Sequence, residues 1–251
     1  MSFQHLIWLY LWIVPHLLLI VIAALMIRKR LHKDFPIFFS YLIFEFLQFC
    51  LLFAMRPREG APSLMYIEVD LLSRAGSVAL RFGILGELFE SPLAHSVQLR
   101  RAMARILNWA TAVLVILAAV FIGSLYYSIL NPRVFGGYVV VEALNTAQCG
   151  LLALLFLWHS SLGLRMSPFA FGIAVGIGLV AGLEPFIRAL NDSLAVRYYL
   201  IPGLLQMAIY HVAVLIWLYF ALVREKVATD SKAALPDLRE WAADLGRIIH
   251  L

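Results

Sequence analysis

Residues 6–27 read LIWLYLWIVPHLLLIVIAALMI, a run without a formal charge, and Arg28, Lys29 and Arg30 follow it at once. An α-helix needs about 20 mostly apolar residues to cross a bilayer, so this stretch predicts a transmembrane helix. No basic segment precedes it and no small-residue cleavage site follows it. Since a cleaved secretory signal would need both features, the pattern predicts a retained span with a basic anchor.

Six more stretches of the chain share this apolar character. Hydrophobic residues make up 63% of the 251 residues and charged residues only 14%, a balance that excludes an ordinary soluble globular protein. The predicted fold class is therefore all-α, a polytopic membrane protein built as a bundle of seven transmembrane helices. The predicted spans are 6–27, 35–55, 64–90, 106–130, 138–159, 167–190 and 200–223. They form one membrane domain, 1–223, followed by a tail, 224–251.

The distribution of basic residues predicts the orientation of this bundle. If the amino terminus is outside, the inner segments carry thirteen Lys and Arg residues and the outer segments five. Basic residues stay on the cytoplasmic side, so we expect the carboxyl terminus in the cytoplasm and a multi-pass protein of the cell membrane. The net charge of +5 does not predict a nucleic-acid partner, because the basic residues lie between the apolar runs and not along one stripe.

The tail is predicted to form an amphipathic helix, because apolar residues recur there at helical spacing: Leu238, Trp241, Leu245 and Ile248. The charged residues of this helix sum to minus one, which makes docking on protein more favourable than attraction to anionic lipid. We therefore expect the lipid bilayer as one partner and a cytoplasmic protein as another. The expected contact surface is this helix together with the basic loop that contains Arg100, Arg101 and Arg105.

The third span has the most distinctive pattern. At 100° per residue, one of its faces carries Asp70, Arg74, Ser77 and Arg81, and glycines and alanines occupy the opposite face. A charged face avoids lipid, and small residues let a neighbouring helix approach closely. The third span is therefore predicted to be surrounded by protein, with Asp70 and Arg74 paired along it. The second span follows Asp34 and has Pro36 in its first turn, which predicts a helix start capped by the Asp34 side chain.

Ionisable residues at similar depth in several spans predict a polar interior. A rise of about 1.5 Å per residue places His16, Glu45, Arg74 and His211 about 15 Å from the outer surface. The candidate ligand-binding residues are His16, Glu45, Arg74, Glu184 and His211. The candidate structural ion-pair residues are Asp70, Arg81, Glu142 and Arg188. A closed ion-pair network would explain these residues, but intramembrane ionisable groups favour a functional, outward-facing cavity.

The motifs that the chain lacks exclude several functions. Every lysine lies outside the predicted spans, so a retinal Schiff base is excluded. We find no His-Glu-x-x-His zinc motif, no metal-ligand spacing, no serine-nucleophile motif and no phosphate-binding loop. The sequence therefore predicts neither an enzyme nor a metal site, and any other cofactor is left open.

Three functions are compatible with this pattern. The leading hypothesis is a receptor-like or sensory protein that binds a small molecule in a polar intramembrane cavity. The first alternative is a b-type haem protein for electron transfer, with His16 and His211 as the axial ligands. The second alternative is a protein that moves protons or ions through the carboxylate, arginine and histidine layer.

Overall fold

A computed structural model describes residues 3–55, 64–90, 132–162, 166–193 and 200–223, together with Ala112 and Ile116. Within these ranges the chain forms α-helices and one short 3-10 helix, and no strand. The α-helices are α1 (Phe3–Arg28), α2 (Pro36–Met55), α3 (Leu64–Glu90), α4 (Pro132–Leu162), α5 (Pro168–Ser193) and α6 (Leu200–Leu222). The all-helical fold class is confirmed for this part of the chain.

Each of the six helices coincides with one predicted span. The remaining span, 106–130, lies outside the described residues apart from Ala112 and Ile116, which are both helical. The tail and the predicted basic loop also lie outside them. The seventh span therefore stays a prediction.

Three of the helical segments are long and apolar enough to cross a membrane: Leu6–Arg28, Pro36–Met55 and Gly203–Leu222. Shorter apolar segments occur in α4 (Ala143–Leu157) and in α5 (Pro168–Leu183). Helix α3 has sufficient length, but its charged residues lower its hydropathy. These lengths and compositions indicate a membrane protein.

The described helices pack as a ring. Each described helix packs on the next one along the chain, from α1 to α6. Helix α6 also packs on α1, which closes the ring. Helix α3 also touches α5 across the ring. Because the ring closes, its interior is enclosed by side chains from every described helix.

A cluster of aromatic side chains fills the end of the ring where α2 and α5 begin and α6 ends. The indole of Trp217 lies edge-on to Phe38 and Tyr41, with centroid distances of 5.4 and 6.0 Å. Phe38 also meets Phe169 edge-on at 5.9 Å. All four side chains are buried, so this end of the bundle is closed by a rigid apolar plug.

Lys29 links α1 to α6 at the same end. Its Nζ donates hydrogen bonds to the carbonyl oxygens of Ala221, Leu222 and Val223, at 2.5, 3.1 and 3.2 Å. The last carbonyls of a helix have no partner within the helix, and a cation there also interacts favourably with the helix dipole. Lys29 therefore acts as the carboxyl-terminal cap of α6.

Glycine pairs on α5 allow close packing on two sides, as the Gly-x-x-x-Gly spacing predicts. Gly172 and Gly176 lie against aromatic side chains of α6, and Gly178 and Gly182 lie against α4. The tightest approach is that of Gly176 to the Trp217 indole. Helix α5 is thus held between its two neighbours by different glycine faces.

The start of α2 is capped by a residue other than the one predicted. The backbone N–H groups of Ile37 and Phe38 donate to the Glu87 carboxylate of α3, at 3.0 and 3.1 Å. Asp34 instead ends the preceding 3-10 helix, Leu31–Lys33. The predicted cap at Asp34 is therefore wrong, because a carboxylate from the neighbouring helix occupies that position.

Candidate functional site

A cavity of about 350 Å³ lies inside the ring. Every described α-helix contributes to its lining, and most of its polar lining comes from α2 and α3. The volume is within the range of small-molecule sites in proteins, roughly 300–1,000 Å³. The predicted polar side chains therefore line a cavity of this size within the described part of the chain.

The mouth of the cavity lies where α3 and α6 begin and α2 ends. Nε of Arg74 donates to Oδ2 of Asp70 at 2.9 Å, and the two side chains are 37% and 20% exposed. The predicted Asp70–Arg74 pair is confirmed. Because both partners are partly exposed, the pair contributes at most about 1 kcal/mol to stability.

The opposite end of the cavity is here called the cavity floor, and it consists of Tyr41, Glu45, Ser77, Arg81 and Tyr210. Glu45 and Arg81 are each only 6% exposed. The aromatic plug lies directly behind this floor, because Tyr41 belongs to both. The cavity therefore leads from a partly exposed ion pair to two buried ionisable groups.

The carboxylate of Glu45 accepts several hydrogen bonds at the floor. Nε2 of Gln48 donates to its Oε2, and the hydroxyls of Tyr41 and Ser77 also bond to the carboxylate. The Ser77 hydroxyl also lies 3.3 Å from Oε1 of Gln48. Burial of a charged carboxylate is unfavourable unless such donors surround it. The local network therefore satisfies Glu45.

Arg81 is less well satisfied. Its Nε and Nη1 are buried, and neither has a hydrogen-bond partner among the described residues. Arg81 interacts with Glu45 electrostatically, but no ion pair within 4.0 Å joins them. The hydroxyl of Tyr210 is also buried without a partner in that part of the chain. The floor therefore contains buried donors of Arg81 and Tyr210 that no described residue satisfies.

His16 lies on the cavity wall. Its Nδ1 donates to the carbonyl of Trp12 at 2.7 Å, so Nε2 is left as the acceptor nitrogen. The imidazole stacks on the ring of Phe49 with a centroid distance of 4.1 Å and an angle of 13°. These contacts fix the orientation of the imidazole on the wall.

His211 lies outside the cavity lining. It is buried, and its Nε2 is 3.5 Å from the Tyr10 hydroxyl. His16 and His211 therefore do not face a common space, and the haem alternative gains no support. The described residues also hold no group of three or more His, Cys, Asp or Glu side chains suited to a metal ion.

The structure brings three of the five candidate ligand-binding residues to one cavity: His16, Glu45 and Arg74. The other two are His211, which lies outside the lining, and Glu184. Two of the predicted ion-pair residues, Asp70 and Arg81, also line the cavity. The side chains of Glu142, Glu184 and Arg188 lie outside what the structure describes, although their helices are described.

Sequence reasoning missed Ser73 and the aromatic wall. Ser73 is buried in the cavity lining and lies one turn before Ser77 on α3, a spacing that could have indicated it. Trp12 and Phe49 meet edge-on, with centroids 5.7 Å apart. Nothing in the separate sequences of α1 and α2 indicates that this pair would line the cavity.

Comparisons with known proteins give no functional assignment, so the function is inferred from the cavity. No protein-family model matches the chain, and neither a curated protein nor a solved structure is significantly similar to it.

Proposed function

We propose that this chain is a seven-helix protein of the cell membrane, with its amino terminus outside, which binds a small molecule in the cavity and acts as a receptor or sensor. The apolar helices α1, α2 and α6 support the membrane location. The excess of Lys and Arg in the predicted inner segments supports the orientation. Ligand binding is signalled to a cytoplasmic protein through the basic loop and the tail.

The cavity is the observation that carries this proposal. Its mouth is at the end of the ring that the basic residues predict to face outward, and its far end is closed by the aromatic plug. A compartment closed at one end suits reversible binding better than passage across the membrane. Apolar walls with a few convergent polar groups are typical of small-molecule sites.

Cysteine labelling tests the orientation. In a background where Cys50 and Cys149 are replaced by alanine, a cysteine at Gly60 is expected to react with an impermeant maleimide in intact cells. A cysteine at Met103 is expected to react only after the cells are opened. Labelling of position 103 but not of position 60 in intact cells would reverse the proposed topology.

Substitution of Gly203 by tryptophan tests whether the ligand binds in the cavity. Gly203 lines the cavity, and a Cβ atom placed there has no neighbour within 4 Å. Gly203→Trp is therefore expected to fold and to place the indole in the open space near the mouth. We expect any metabolite that raises the thermal unfolding temperature of the wild type to lose that effect in this variant.

Gly86→Trp is the matched control for this experiment. Its Cβ also has no neighbour within 4 Å, but Gly86 does not line the cavity. The control should retain the ligand-induced shift. A broad metabolite panel without any effect on the wild type would refute ligand binding, and equal shifts in both variants would place the ligand outside the cavity.

A further inference from the structure

We infer that the ligand of this cavity carries a carboxylate on a small apolar body, with the carboxylate held at the cavity floor by Arg81 and Tyr210. This inference rests on the proposed binding function and specifies the chemical class of the ligand. Phosphates and sulfonates share the anionic acceptors that these donors require.

The unsatisfied donors at the floor are the first argument. Nε and Nη1 of Arg81 and the hydroxyl of Tyr210 are buried without partners among the described residues. Both side chains line the cavity, and they interact electrostatically with each other. Buried donors without acceptors are unfavourable. A ligand with acceptor atoms at this position would satisfy both residues at once.

The charge of the ligand follows from the contrast between Arg81 and Glu45. The Glu45 carboxylate already accepts hydrogen bonds from Gln48, Tyr41 and Ser77, so it does not require a cationic ligand. The Arg81 guanidinium is a permanent cation, and its Nε and Nη1 are buried donors without partners among the described residues, so an anionic acceptor would stabilise it. An ammonium has no acceptor atom, so it could not satisfy the donors of Arg81 and Tyr210.

The side chains of the cavity walls indicate what the rest of the ligand is like. Between the floor and the mouth, apolar side chains such as Leu11, Leu52 and Met207 alternate in the lining with a smaller number of polar ones: His16, Gln48, Ser73 and Gln206. The charges of Asp70 and Arg74 are already paired with each other at the mouth. A second charged group on the ligand would therefore have no free partner there. The volume of about 350 Å³ accommodates a short chain or a single ring system.

The experiment compares ligands of equal length and different head groups. Octanoate, octanol and octylammonium are titrated against the purified full-length protein in nanodiscs, with calorimetry or thermal shift as the readout. We expect octanoate to bind most tightly. Butyrate and palmitate then distinguish the sources of the anion, because preference for palmitate would indicate a membrane lipid and preference for butyrate a water-soluble metabolite.

Variants of the floor test the two donors. Arg81→Met is expected to weaken octanoate binding about 10- to 100-fold, the typical effect of losing hydrogen bonds to a charged group. Arg81→Lys keeps the charge without the guanidinium N–H groups and should weaken binding less. Tyr210→Phe keeps the ring and should weaken binding about 3- to 10-fold. These last two variants carry the test if Arg81→Met does not fold.

Matched substitutions outside the cavity are the controls. Arg28→Met and Tyr219→Phe change the same residue types at exposed positions and should leave octanoate binding unchanged. Octanol or octylammonium binding as tightly as octanoate would overturn the carboxylate but leave the binding function intact. Octanoate affinity that is equal in the wild type, Arg81→Lys and Tyr210→Phe would overturn the assignment to the floor. A protein that binds no ligand of any class would refute the binding function itself.

Discussion

Glu45→Leu is expected to lower the free energy of unfolding by about 3–5 kcal/mol, because it leaves buried donors without their acceptor and the buried Arg81 charge without a compensating carboxylate. The substitution removes the acceptor for the donors of Gln48, Tyr41 and Ser77. It also removes a buried carboxylate that interacts electrostatically with Arg81. The change is measured as the shift in thermal or denaturant-induced unfolding of the purified protein.

A second substitution separates the loss of charge balance from the loss of volume. Glu45→Leu combined with Arg81→Met replaces both charges with apolar side chains of similar size, and this double variant should recover most of the lost stability. No recovery would show that the hydrogen bonds of Glu45, and not the charge of Arg81, account for the effect.

The control is the corresponding change at the mouth. Asp70→Leu removes the carboxylate partner of Arg74, but both side chains are partly exposed. Its expected cost is at most about 1 kcal/mol, because water compensates the remaining charge. If Glu45→Leu and Asp70→Leu cost the same, the cavity floor is hydrated and the contrast between floor and mouth is wrong.

The polar face of α3 could be predicted from the sequence, because helical periodicity is a local property. Asp70, Arg74, Ser77 and Arg81 line one cavity, as their 100° spacing indicates. The different roles of the two arginines could not be predicted. Depth along the helix predicts Arg74 as a ligand-binding residue and leaves Arg81 among the ion-pair residues. Burial depends on how the neighbouring helices pack, and their packing leaves Arg74 partly exposed and Arg81 buried.

Long-range contacts explain why Asp34 does not cap α2 and why His211 lies outside the cavity lining. Asp34 has the local pattern of a helix cap, but Glu87 takes that role from a helix about fifty residues away. His16 and His211 have matching depth, but depth does not specify the rotation of each helix. Tyr210, the residue before His211, lines the cavity, and His211 does not. A shift of one residue turns a side chain by about 100°, so depth alone cannot pair residues across a bundle.

Gly176→Ala is expected to destabilise the protein by about 3 kcal/mol, near the upper end of the usual cost of overpacking a core. A Cβ atom at Gly176 would overlap the indole of Trp217. The indole is fully buried between the rings of Phe38 and Tyr41, so it cannot move aside. Helices α5 and α6 would have to separate, which would also loosen the aromatic plug behind the cavity floor.

Gly178→Ala provides the comparison on the same helix. Its Cβ would lie 3.6 Å from Cδ1 of Leu152, an ordinary van der Waals contact. Alanine is also a better helix former than glycine by about 0.5–1 kcal/mol, so this variant should be as stable as the wild type or slightly more stable. Both variants are compared by thermal unfolding in the same detergent. Equal stability of the two variants would mean that the Trp217 indole can move aside, and that the α5–α6 contact does not depend on a glycine at position 176.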